Sequence, residues 1–232
     1  MSFKSRLKLM LDGRPLTGWG KQNKLSGGTI SRISGGGVPG HQILNLIQKI
    51  ENVSIGWLVD GIGRPFIVHD EFSDEQTAGY LATLLEEQGW RLYFVTDQTN
   101  MALVCTLPAE IEFKKNRVRY TAVEIICGQY GAETQAVLNG FDNIYLLKID
   151  RETLTSLCRG EIGTHRLVGN DECTGLLAQA QPMDQPPEQP EIQAIAEDSP
   201  DDYALLAKYH QLNAANRKTL LMIIDTLLKQ QE

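Results

Sequence analysis

The stretch Leu16–Ile33, LTGWGKQNKLSGGTISRI, decides how this chain is read. Two short helical segments, 16–23 and 26–34, meet at Lys24-Leu25. Gly20 puts a small residue where a second helix has to cross closely, and Leu16, Leu25, Ile30 and Ile33 are spaced to pin that crossing from inside. Ser26 stands where an N-cap opens the second segment, its hydroxyl able to accept from a backbone N–H that has no helical partner. This is the pattern of a helix-turn-helix unit, whose second helix presents its outward face to the DNA major groove. On that reading Ser26, Gly27, Gly28, Ser31 and Arg32 face the bases. Thr17, Lys21, Gln22, Lys24 and Thr29 are the expected phosphate contacts, together with backbone N–H groups at the helix starts.

The flanks complete a small all-α domain over residues 1–68. Phe3, Leu7 and Met10 or Leu11 share one face of a helix over 3–11, opposite Lys4 and Lys8, and Asp12-Gly13 stops it. Gly35-Gly36-Gly37 ends the third helix. Residues 40–51 form an amphipathic fourth helix with Ile43, Leu46, Ile47 and Ile50 inward. Ser54 caps a short fifth helix carrying Trp57 and Leu58. Trp19 and Trp57 are expected in packing, because no aromatics alternate with basic residues as they do in single-strand binders.

Charge is divided along the chain. Residues 1–68 hold nine Lys/Arg against three acids, a net of +6, while the remainder holds 13 basic and 26 acidic residues, a net of −13. A basic first third on an acidic body suits a unit that meets phosphates, although the whole chain carries −7.

Beyond residue 68 the pattern predicts an α+β domain over 69–175 that oligomerises or senses a signal. Ser73 caps a helix running to Glu87. The segments 91–95, 102–107, 117–127 and 143–149 are rich in β-branched and aromatic residues and predict a small, mostly antiparallel sheet, followed by a short helix at 151–157. Residues 176–202 read as an acidic, Pro-rich linker with Pro182, Pro186, Pro187, Pro190 and Pro200 and no basic residue. A helical segment over 203–232 carries two apolar stripes, for folding back on the middle domain or pairing with another subunit.

Other chemistry finds little footing. Self-cleavage needs a serine activated by a lysine; Ser156 with Lys148 is the one dyad to consider, with Ala78-Gly79 as the cleavable bond. Cys158, His165 and Cys173 match no standard zinc spacing. The four cysteines, with no CxxC, read as reduced thiols of a cytoplasmic protein. No apolar run is long enough to span a bilayer, and no signal peptide is expected. No enzyme activity, cofactor or metal is expected.

The whole of residues 2–68 resembles the DNA-binding domain of phage CI-type repressors and the related Xre-like bacterial regulators. LSGGTISRI at Leu25–Ile33 and NVSIGWLVDGIGRPF at Asn52–Phe66 carry the resemblance, the latter matching the family's V-S-x-x-W-L-x-x-G-x-G closing signature. The tail segment LLAKYHQLNAANRKTLL resembles the C-terminal ends of such regulators more weakly. The resemblance implies a five-helix lambda-repressor-like domain in a cytoplasmic, nucleoid-associated repressor that binds double-stranded operator DNA as a homodimer or higher oligomer. It leaves a small-molecule or protein inducer unidentified. Two positions depart from the family. Lys24 occupies a turn position that is usually glycine, which requires a left-handed backbone or a different turn. Gly27 and Gly28 stand where relatives present base-reading side chains, either for close backbone approach to the groove or to tolerate a tight turn. A rival reading makes the acidic body a ligand- or protein-sensing module for which DNA is only an address; a DNA-free, antitoxin-like role is a third.

Overall fold

The stretch Leu16–Ile33 folds as two helices, α2 (Leu16–Gln22) and α3 (Gly27–Ser34), in a computed structural model that describes residues 1–70, 72–169 and 174–187. Around them lie α1 (Phe3–Leu11), α4 (His41–Glu51) and α5 (Ile55–Asp60). Local chemistry explains the boundaries. The hydroxyls of Ser2, Ser26 and Ser54 accept from the N–H three residues on, at the starts of α1, α3 and α5. Asp12, Asn52 and Gly61 end α1, α4 and α5 in the left-handed conformation.

The five helices share one core. Phe3, Leu7 and Met10 of α1 meet Trp19, Ile30, Ile33, Leu46, Ile47 and Leu58, all buried. The inward faces foreseen from the 3.6-residue period are the faces buried here. Arg6 is also buried, its guanidinium donating to the carbonyls of Leu58 and Val59 at the end of α5 and to Met1 O. A cation there complements the negative end of the helix.

The second layer is a five-stranded mixed sheet in the order β3-β2-β1-β4-β5: β1 (Arg91–Thr96), β2 (Met101–Phe113), β3 (Asn116–Ile126), β4 (Ile144–Lys148) and β5 (Gln181–Met183). Three of its pairings are antiparallel, and β1 with β4 is parallel. Alternation sorts β1 between two interiors. Leu92 and Phe94 pack with Leu81 of α6 (Asp74–Leu85) and Leu138 of α7 (Ala132–Leu138). Tyr93 and Val95 pack with Leu154 and Leu157 of α8 (Arg151–Cys158) and Leu167 of α9 (Thr164–Val168). A strand covered on both faces reads as the near-continuous apolar run LYFV.

The long hairpin β2–β3 reaches beyond the sheet. Phe113 pairs with Asn116 across a two-residue turn, and Phe113 and Val118 enter the helical core. The sequence pattern gave only 102–107 for β2; its outer half alternates exposed Glu110 and Glu112 with Ile111 and Phe113, whose burial comes from the helices. Leu176–Gln179 is a 3-10 turn, and β5 follows on the sheet edge, both inside the stretch expected as linker. The rest of that stretch from 188, and the helical segment expected over 203–232, lie outside the described residues.

One cysteine expectation is corrected. Cys127 and Cys158 form a disulfide with Cα atoms 5.7 Å apart, whereas Cys105 is a buried free thiol. Cys127 follows the last residue of β3 and Cys158 is the last residue of α8; the fold brings together positions separated by 31 residues in sequence. Among the described residues no helix is long and apolar enough to cross a membrane.

Candidate nucleic-acid interface

The α2–α3 connection is built by backbone hydrogen bonds. Leu25 N donates to Gly20 O at 2.8 Å and Lys24 N to Lys21 O at 3.1 Å. These two bonds define a Schellman termination, which requires a left-handed residue just past the helix end. Lys24 holds that place with φ +59°, so the left-handed alternative stated for this lysine is the one adopted. Asn23 is buried behind the turn, its side-chain amide donating to Trp19 O at 2.9 Å.

Gly20 is needed where the helices cross. A Cβ there would lie 2.8 Å from both Cγ1 and Cδ1 of Ile30. Gly27 and Gly28 are different: a Cβ at either position meets nothing within 4 Å, and neither has a positive φ. No tight turn or packing contact calls for glycine at these two positions.

The candidate residues occupy the outside of the pair. Thr17, Lys21, Gln22, Lys24, Ser26, Gly27, Gly28, Ser31 and Arg32 are exposed, and Thr29 is half-buried. The Ser26 hydroxyl is engaged as the cap of α3, accepting from Thr29 N at 3.3 Å and lying 2.9 Å from Thr29 Oγ1. Arg32 is turned toward the segment that follows its helix. Its guanidinium donates to Val38 O, and its stem runs so close to Gly37 that a Cβ there would meet Arg32 Cγ at 2.9 Å. Lys21 and Lys24 make no ion pair among the described residues.

Two cations counted in the basic segment have structural work instead. Arg6 serves the end of α5, and Arg14 forms a bidentate pair with Glu51 at 2.9 and 2.7 Å. Glu51 is only 2 % exposed and also accepts from Trp19 Nε1 at 2.6 Å. The sequence reading missed this network. Its signal was present, since Glu51 follows Leu44 and Ile47 at helical spacing and so falls on the apolar face of α4.

The alternative sites are placed as follows. Cys158 is bound to Cys127, and Cys173 lies outside the described residues. The Ala78-Gly79 bond lies inside α6, while Lys148 ends β4 and Ser156 sits in α8. Comparison with known protein families, with curated proteins and with solved structures gives no match.

Proposed function

We propose that the α2–α3 pair is a helix-turn-helix and that the protein is a sequence-specific DNA-binding transcriptional regulator of the phage-repressor type, acting as a dimer or higher oligomer. The observation that supports this best is the combination at the crossing. A glycine with no room for a Cβ, a left-handed turn residue and a capped second helix stand together with candidate contact residues that are exposed, apart from half-buried Thr29. Such a pair can lay α3 in the major groove while Lys21, Lys24 and the N–H groups of the helix starts hold the phosphates. Paired subunits would read half-sites about one turn, roughly 34 Å, apart.

With Ser26 engaged as a cap and Gly27 and Gly28 bare, Ser31 and Arg32 are the side chains left on α3 for base edges. Arg32 reaches them by exchanging Val38 O for a base acceptor. DNA shape then carries part of the specificity.

Selection from random duplex DNA, followed by titration over a range of salt, tests the reading. A single enriched motif is expected. Lys21→Ala lowers affinity evenly across sequences and reduces the salt slope by about one, whereas Arg32→Ala removes the preference for the motif. No enriched motif would sink the proposal, and unchanged affinity in Arg32→Ala would sink the assignment of α3 as the reading helix.

A further inference from the structure

Between the helical core and the sheet lies a cleft of about 380 Å³, within the range of small-molecule sites. Trp19, Gln22 and Asn23 of the α2 end form one side, and Tyr93, Thr164 and His165 contribute from the sheet and α9. Ile50, Pro108, Val168 and Leu177 add apolar wall.

Charge in the lining is uneven. Arg14 is neutralised by Glu51, and Arg119 pairs at 2.7 Å with Glu110, a carboxylate it shares with Arg117 at 3.9 Å. Arg91, also lining the cleft and exposed, has no ion-pair partner among the described residues. The lining residues therefore carry a positive excess.

We propose that this cleft binds a small organic monoanion, a carboxylate carried on an apolar or aromatic body. The carboxylate pairs with Arg91. The body of the ligand lies against Tyr93 and the apolar wall. The site is coupled to α2, because Gln22 lines the cleft and also belongs to the proposed phosphate-contacting set. A bound anion places negative charge beside α2 and lowers affinity for DNA, and by linkage DNA lowers affinity for the anion. This coupling rests on the DNA-binding reading; ligand binding does not.

The test uses the full chain with 2-naphthoate as probe and 2-naphthamide as its neutral counterpart. Calorimetry is expected to show saturable naphthoate binding with a Kd on the order of 0.1 mM or tighter, at least about tenfold tighter than naphthamide. Arg91→Glu removes that preference, and Ala178→Trp, which fills the cleft from its rim, removes binding, both with an unchanged melting temperature. Absent binding, equal binding of the two probes, or naphthoate binding unaffected by Arg91→Glu overturns the site. With the motif selected above, naphthoate weakens DNA binding by about threefold or more in the parent chain and not in Arg91→Glu. Naphthoate binding without that shift overturns the coupling alone, and a chain that selects no DNA motif but binds naphthoate overturns only the DNA reading.

Discussion

At the scale of single residues, Gly20 and Ile30 set the distance between α2 and α3. Alanine at position 20 gains helix propensity worth about 1 kcal/mol, but its methyl meets the Ile30 side chain at 2.8 Å. Overpacking of a buried site costs about 1–3 kcal/mol, so the crossing decides the sign. Gly20→Ala should lower unfolding free energy by about 1 kcal/mol in urea titrations. Trimming the partner tests the cause: in the Ile30→Ala background, which lacks both Cγ1 and Cδ1, the same change should cost less. Equal costs in both backgrounds would remove the steric explanation. Glu51 is the contrasting case, a buried carboxylate whose ion pair and indole hydrogen bond leave it satisfied among apolar neighbours.

At the scale of elements, two helix starts carry predictions. In α3, Gly27 and Gly28 have open space and ordinary backbone angles, so alanine at each should stabilise the protein by about 0.5–1 kcal/mol. If their role is close approach to DNA, the double variant melts higher yet binds its motif more weakly; a higher melting temperature with unchanged binding would leave the glycines no part in recognition. In α7 the cap comes from another element. Gly131 has no side chain to offer, and the Asp74 carboxylate accepts from Gly131 N, Glu133 N, Thr134 N and Thr134 Oγ1 at 2.6–3.1 Å. Burial alone would raise the pKa of Asp74, but the hydrogen bonds from Thr134, Glu133 and Gly131 together hold it below the ordinary 3.8. A carboxylate depressed in this way contributes its stability above the unfolded value and loses it as pH falls through the folded one. Unfolding midpoints should therefore decline below about pH 4, and Asp74→Asn should flatten that decline while lowering stability at neutral pH. Parallel pH profiles for the two proteins would argue against the carboxylate cap.

At the scale of the whole molecule, the Cys127–Cys158 bond joins the end of β3 to the end of α8. Closing a loop of 31 residues removes unfolded-state entropy worth about 3–4 kcal/mol, by the chain-entropy account. Reduction with dithiothreitol, or the double Cys127→Ser, Cys158→Ser variant, should lower the melting temperature by several degrees. An unchanged melting temperature after reduction would show that the packing of α8 on the sheet needs no such tie.

What the sequence determined by itself was local. The boundaries of α1 to α5 and the left-handed option at Lys24 follow from caps, turn chemistry and a 3.6-residue period, interactions that reach at most a few residues along the chain. The four main strands were legible for the same reason, in their alternating or continuous apolar runs. Only the tertiary structure decided what is distant in sequence. The cap of α7 lies 57 residues before it, the disulfide spans 31, and Arg14 meets Glu51 across 37. β5 gains its strand character from pairing with β4, and the outer half of β2 gains its buried face from the helices. The cleft belongs to this second class: Arg91, Thr164 and Gln22 become neighbours of one space only when the helical core packs on the sheet.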